Sequence, residues 1–570
     1  MLRLFGPALL LVALAGCSHV PRVHPPPPLR ASADHPNVLL IVAEDLSPHL
    51  GAYGDPAAHT PRLDELAREG VLFTNAFTTG PVCAPSRATI QSGMYPRSIG
   101  AMHMRTSRAW DPAGSAKAFS YLAVPPPEVK AFPELLRRAG YFTVNHLKTD
   151  YQFGEPFTIW DAFEPDESQR TVWRRAPQGQ PFLAMLDPWI THESFLWPTD
   201  PSAGDETLAK VAERNARAFA GHPSVIDPNA VHLSPYLADT PDTRRDVARQ
   251  YENAAILDAQ IGEILDALAA DGLAERTIVI FTTDHGDGLP NAKRRAYDSG
   301  LRVPLIVRFP DGRSAGSVRD DVVSFVDLAP TVLDLAGLPI PDFMQGQPFL
   351  GPHARERRYA FAAADRMDTS PGKWRSVRDR RFQYLANLMP EVPLLARIKF
   401  RDALLSMQEL WRLHALHALT PLQESQFTTP RPAEELYDTA ADPDETRNLA
   451  GDPAHAEVLA RMRAALAEFE ASVPDLCPDG ERAMAERMWP DLRQPRTAQP
   501  VASRVTQYGV QALSLASPTP GASIGYRYDR DPPERWRLYV APVAVPPPGL
   551  EIEAKAVRYG WAESASVRLP

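Results

Sequence analysis

The sequence predicts an α/β fold built on a mainly parallel central sheet, followed by two smaller units. Three observations predict it. Short apolar runs lack polar alternation, so they read as strands covered on both faces. Each run leads into charged or imidazole side chains. Stretches with helical periodicity lie between the runs, and that alternation builds parallel sheets.

The first run, Asn37–Ala43, stops at Glu44-Asp45. Residues 60–70 then read as a helix, with Thr60 as cap, Pro61 at the first position and Gly70 at the end. The run at 141–144 leads on to Lys148, the run at 182–186 leads on to His192, and the run at 277–281 enters Asp284-His285-Gly286. Residues 132–139 and 245–270 read as helices, the second with Val247, Tyr251, Ala254, Leu257, Ile261 and Ile264 on one face. Ligands of such sheets bind beyond the carboxyl ends of the strands. Any one of these charges could be a solvated loop residue. Two carboxylate-bearing pairs, a lysine and a histidine on one rim read better as a metal and anion site.

Farther along, residues 396–419 form an amphipathic helical stretch, and 454–469 carry a buried helical face with Leu459, Met462, Leu466 and Phe469. These belong to a smaller α+β subdomain at 386–473, after a catalytic domain at 36–385. Residues 474–502 are rich in proline and charge and read as a linker. Short alternating strands near 525–528, 536–540 and 550–556 predict a small β-sandwich at 503–570. No internal repeat is present.

Composition narrows the function. The 570 residues are 23% charged and 44% hydrophobic, as in soluble globular proteins. A formal net charge of -10 argues against non-specific nucleic-acid binding. An anionic substrate would need a local basic pocket against that field. The three cysteines, Cys17, Cys83 and Cys477, predict no disulfide framework. Cys477, next to Pro478, reads as a partly exposed, inert thiol.

The chain starts with a targeting signal. Arg3 precedes an apolar stretch at 8–15 that is too short to span a bilayer. It ends in Leu14-Ala15-Gly16-Cys17, which resembles the bacterial lipobox. That resemblance implies a signal peptide at 1–17, lipidation of Cys17, and a lipid-anchored place in the cell envelope. Ser18 after the cysteine favours the outer membrane in a two-membrane host. Residues 18–35, with four consecutive prolines at 25–28, read as an extended tether.

The most specific segment is residues 81–93, PVCAPSRATIQSG. It reads as a helix start with Pro85 in the first turn and Gly93 as the stop, which puts Cys83 near a helix N-terminus where negative charge is favoured. Cys83-Ala84-Pro85-Ser86-Arg87 resembles the Cys-X-Pro-Ser-Arg core of the formylglycine-dependent (type I) sulfatases, of the alkaline-phosphatase-like superfamily. The likeness continues through Gly93-Met94-Tyr95-Pro96, residues 277–286 and 297–307, and Glu435-Leu436-Tyr437-Asp438 with Arg447-Asn448-Leu449. A weaker resemblance, at residues 233–241, is to the branch containing heparan N-sulfatases.

The resemblance implies an alkaline-phosphatase-like sandwich and the hydrolysis of sulfate esters or N-sulfates on a carbohydrate. It implies conversion of Cys83 to formylglycine by a maturing enzyme. The hydrated aldehyde would attack sulfur through one hydroxyl and expel sulfate through the other. It assigns Glu44, Asp45, Asp284 and His285, with the modified Cys83, to one calcium ion, which suits oxygen ligands. The family's first pair is usually Asp-Asp, so Glu44 is a longer arm. Arg87, one helical turn after Cys83, would orient the aldehyde hydrate. Lys148 matches the family's lysine, but Asp150 stands where that motif has a histidine, and His103 is a candidate replacement. His192 would be the acid for the leaving group. Lys293 falls where the family carries a cation on the sulfate, with Arg294 and Arg295 beside it. Two alternatives remain open on sequence: a phosphonate or phosphate ester hydrolase of the same superfamily, and an inactive glycan-binding lipoprotein.

Overall fold

Eight strands make the central sheet of the computed structural model: β1 (Asn37–Ala43), β2 (Val71–Phe77), β3 (Phe142–His146), β4 (Ala162–Glu164), β5 (Phe182–Leu186), β6 (Thr277–Thr283), β7 (Arg302–Arg308) and β8 (Ser317–Ser324). Their order is β4-β3-β5-β1-β6-β7-β2-β8. Only β7 runs antiparallel to its neighbours. The structure describes residues 35–104, 106, 119–199, 206–222 and 224–569. The expected signal peptide, its Cys17 and nearly all of the tether lie outside the described residues. No helix among the described residues is long and apolar enough to cross a membrane.

The missing alternation in the strands has a direct cause. In β1, Val38, Leu40 and Val42 enter one core while Leu39, Ile41 and Ala43 enter the other. β6 divides in the same way, with Ile278 and Ile280 against Val279 and Phe281. One face is closed by the helices Phe132–Arg138 and Leu328–Leu335 through Leu136, Leu328 and Val332. The other is closed by Pro61–Glu69 and the 30-residue helix Pro241–Ala270, through Leu63, Leu66, Leu257, Ile261 and Ile264. That long helix starts where Thr240 accepts a hydrogen bond from the Thr243 N–H, with Pro241 following the cap.

A second, antiparallel sheet, ordered β12-β11-β10-β9, comprises β9 (Ala360–Met367), β10 (Ser370–Arg378), β11 (Phe382–Asn387) and β12 (Glu434–Asp438). It starts well before the expected boundary at 385, because β9, β10 and β11 are joined by tight turns and share one ladder. The helix Ala456–Ser472 packs Leu459, Met462, Leu466 and Phe469 onto it.

The segment expected to be a linker, 474–502, is folded onto the main domain. It contains the helix Glu481–Met488, and its Cys477, Met484 and Trp489 close a cluster around Tyr121. Cys477 is buried, not partly exposed. The segment's charge misled because Glu481 is spent on Arg366, at 2.7 Å, and on Tyr121. The C-terminal unit is two antiparallel sheets with Leu513, Ile524, Ile552 and Ala554 between them. It docks on the main domain through Glu134, which is buried and accepts hydrogen bonds from Ser523 Oγ (2.6 Å), Tyr559 Oη (2.7 Å) and Thr158 Oγ1 (2.7 Å).

Candidate active site

The carboxyl ends of β1, β5 and β6 converge with the start of the helix Cys83–Ser92. Val82 precedes that helix in an extended conformation (φ -159°, ψ 150°) with no side-chain cap, which leaves its first N–H groups unsatisfied by capping. The helix stops at Gly93 (φ 66°), a left-handed turn that favours glycine. Cys83 is fully buried. Its Sγ lies 3.5 Å from Lys293 Nζ, 3.5 Å from His285 Nε2 and 3.9 Å from Glu44 Oε2.

Asp45 is held from four sides. Its backbone is left-handed (φ 41°), an uncommon conformation that Asp tolerates better than most residues. Its N–H donates to Asp284 Oδ1 at 3.1 Å, and its carbonyl accepts from Gln250 Nε2 at 2.7 Å. Oδ2 accepts from the Glu193 N–H (2.8 Å) and Lys293 Nζ (2.7 Å). Burial works against this carboxylate, yet Lys293, His285 and His192 outweigh it and hold Asp45 well below the usual range. Oδ1 is buried without a hydrogen-bond partner, 3.2 Å from His285 Nε2.

His285 is oriented by its own chain. The Gly286 carbonyl, 2.8 Å from Nδ1, can only accept, so Nδ1 carries hydrogen and Nε2 faces Cys83 and Asp45. Gly286 is required there: a Cβ would fall 1.9 Å from the Ser299 carbonyl oxygen. Despite burial, Asp284 and Asp45 push His285 up to about 10. A site that presses a proton onto a buried imidazole is one that attracts a cation. Ligand atoms from Asp45, Cys83, Asp284 and His285 all lie within 4.8 Å of one another, as do those from Glu44, Asp45, Cys83 and His192. This set of carboxylates with an imidazole, and an orphaned Asp45 oxygen, fits a hard divalent cation.

Arg87 is wholly buried and divides its guanidinium among three acids. Nε donates to Asp284 Oδ2 at 3.2 Å, Nη1 to Asp187 and Nη2 to Glu44. Glu44 also accepts from Lys148. The loop carrying Lys148 is pinned by Asn145 Nδ2 on the Lys148 carbonyl (2.9 Å), between left-handed Leu147 (φ 72°) and Asp150 (φ 53°). Burial lowers Lys148, but Cys83 and Glu44 more than reverse that, so its ammonium stays charged.

His192 begins the turn Glu193–Phe195. Its Nδ1 accepts from the Ser194 N–H at 3.3 Å. In the neutral ring the proton therefore sits on Nε2. Burial, then Lys293, hold His192 well below its ordinary value.

The structure also separates the three adjacent cations. Lys293 points at Cys83. Arg294 binds Glu193 at 2.7 Å and also pairs with Asp368. Arg295 lies over the rings of Tyr236 (4.7 Å) and Tyr297 (4.9 Å). His103 goes elsewhere: its Nδ1 meets Tyr121 Oη at 3.2 Å and its Nε2 meets Cys477 Sγ at 3.9 Å. Its ring is occupied by the folded 474–502 segment, so no contact joins it to Cys83. Sequence reasoning missed two residues. Asp187 follows β5 directly and backs Arg87, and Glu193 anchors Lys293 at 3.2 Å. Both obey the rule of charge after an apolar strand, but the motif resemblance singles out only the neighbouring His192.

Comparison with known proteins gives the family. The sulfatase family profile matches residues 36–338. An ulvan-active sulfatase of Formosa agariphila is 37% identical over 558 residues, covering 94% of this chain and 91% of the relative. The human N-sulphoglucosamine sulphohydrolase is 29% identical, covering 80% of this chain and 94% of its own. A structure solved with D-glucosamine-2-N,6-O-disulfate superposes with a TM-score of 0.53 at 17% identity, over 77% of this chain and 98% of the other, which supports the alkaline-phosphatase-like fold. The chain belongs to the sulfatase family and is a sulfuric ester hydrolase.

Proposed function

We propose that this enzyme removes sulfate from a sulfated carbohydrate, using Cys83 after its conversion to formylglycine and one calcium ion. The observation that carries the reading is the setting of Cys83. It is buried at a helix start, between Lys293 and His285 at 3.5 Å each, beside a carboxylate oxygen with no hydrogen-bond partner. The substrate class is supported by the relatives, which act on ulvan or on N-sulphoglucosamine.

Asp45, Asp284, His285 and Glu44 would hold the cation. Bound there, it would polarise sulfate oxygens and orient the group for attack, while formylglycine supplies the attacking hydroxyl. The remaining work falls to the chain's own side chains. Lys148 and Lys293 bring positive charge to the transferring group. Arg87 neutralises the acids behind Cys83 and keeps them from repelling an anionic ester. His192 would hydrogen-bond the leaving oxygen or nitrogen through Nε2–H and would give up a proton there once the bound anionic group favours its imidazolium. The reading includes maturation by a formylglycine-generating enzyme. It also includes a lipid anchor at Cys17 that keeps the protein in the bacterial cell envelope.

The test is sulfate release from ulvan and from N-sulfated glucosamine by protein co-produced with a formylglycine-generating enzyme. Release should stop on chelation and return with calcium. Absence of release from any sulfated glycan by fully converted protein would overturn the reading.

A further inference from the structure

An open cleft lies beside the site, lined by Arg294, Arg401, Arg431, Lys373, Trp374 and Met389 among others. It adjoins the Cys83 site through two links. Arg294 follows Lys293 in sequence and binds Glu193, the neighbour of His192. The His192 ring contacts Phe400, the neighbour of Arg401, at 6.0 Å between centroids.

The charges of this cleft are unevenly paired. Arg294 is matched by Glu193 and Asp368, and Arg431 by Glu435 at 3.2 Å. Arg401 is not matched. It is 2% exposed, yet no carboxylate among the described residues forms an ion pair with it. Its Nη2 donates to the Ala396 carbonyl, and its Nε has no partner. Burial, then neighbouring Arg294, push its guanidinium down to about 10, and the more distant carboxylates of Asp402 and Glu193 offset this only in part. A buried cation without a direct ion pair is costly unless something else completes its pairing. Lys373 adds a second cation on the wall, and Trp374 and Met389 add apolar surface suited to a sugar ring. The formal net charge of -10 makes this local concentration of arginines more telling, since the whole molecule repels polyanions.

We infer that the cleft is a second anion subsite, which takes a carboxylate or a further sulfate on the same saccharide that presents its scissile sulfate to Cys83. The inference rests on the reading of Cys83 as the sulfate-cleaving centre. It makes the enzyme selective for multiply anionic sugars, with Arg401 as the specificity-determining residue.

Binding separates this claim from catalysis. In a Cys83→Ala background, calorimetry would compare D-glucosamine-2-N,6-O-disulfate with a singly sulfated glucosamine. It would also compare a uronate-bearing sulfated disaccharide with its methyl ester. The second anion should tighten binding by about tenfold or more, and Arg401→Gln should remove that gain. Arg401→Lys should keep part of it. Lys373→Ala, on the cleft wall, should weaken the doubly anionic sugars alone and covers the case in which Arg401→Gln fails to fold. The sulfate and uronate pairs show which anion is preferred. Unchanged preference in both Arg401→Gln and Lys373→Ala overturns the subsite, as does equal binding of all four sugars. Turnover of 4-methylumbelliferyl sulfate by the matured enzyme with Cys83 intact separately tests the cleaving centre.

Discussion

Replacing Arg87 with methionine keeps most of the side-chain volume and removes the charge between Glu44, Asp187 and Asp284. Breaking a buried ion pair by removing one partner costs about 3–5 kcal/mol. The cost here is not three times that, because each acid has a fallback. Glu44 keeps Lys148, and Asp284 keeps His285 at 3.6 Å. Burial already pushes Asp187 up to about 7, even with Arg87 opposing it. Without the guanidinium its pKa rises further, so the carboxyl stays protonated and gives up ionisation that the native protein retains above pH 7. At pH 6 Asp187 is largely protonated in both proteins, and the loss should be about 3 kcal/mol. At pH 8.5 the extra cost of withholding ionisation is about 2 kcal/mol, for a total of about 5 kcal/mol. Urea denaturation of chelated protein at the two pH values, with an Arg87→Lys control, measures this. A loss below about 1 kcal/mol at both pH values, or one that grows as the pH falls, would refute the reasoning.

Three further outcomes follow from the same contacts. His192→Gln should lower turnover of a sulfated sugar by about 10²-fold or more while sparing an aryl sulfate, whose phenol leaves without a proton; equal losses on both would remove His192 as the acid. Calcium at a hundred times its Kd should stabilise chelated protein by about 2.7 kcal/mol, and Asp45→Asn should abolish the gain; thermal unfolding that ignores calcium contradicts the cation site. Glu134 is held down to about 2: burial raises it, but Lys130, Arg138 and hydrogen bonds from Ser523 and Thr158 prevail. Its contribution, roughly 3 kcal/mol, is therefore complete above pH 4.5 and lost as the pH falls towards 2. Limited proteolysis should release the C-terminal β-sandwich earlier in acid, and Glu134→Gln should flatten that dependence.

The parallel sheet was legible because burial on both faces leaves a mark in one dimension. Asn37–Ala43 and Thr277–Thr283 cannot afford a polar residue mid-strand, and the charges that follow them cannot lie elsewhere than the rim. The Cys83 motif was legible for the same reason, since its helix starts at that rim. What failed was long-range polar pairing. Nothing near Glu481 reveals that Arg366 and Tyr121 will neutralise it, so 474–502 read as a linker and His103 read as free to serve the site. Asp187 was hidden differently: its meaning depends on Arg87, 100 residues earlier in the chain. The selection among Lys293, Arg294 and Arg295 likewise needed Glu193 and Tyr236 in place.

The central claim is that Cys83 is the precursor of the nucleophile. Peptide mass spectrometry of the fragment holding Cys83, from protein co-produced with a formylglycine-generating enzyme, tests it most directly. The account predicts loss of sulfur at Cys83 and an aldehyde that an aminooxy probe captures, in proportion to sulfatase activity across preparations. Full activity in protein whose Cys83 remains an unmodified thiol would contradict it.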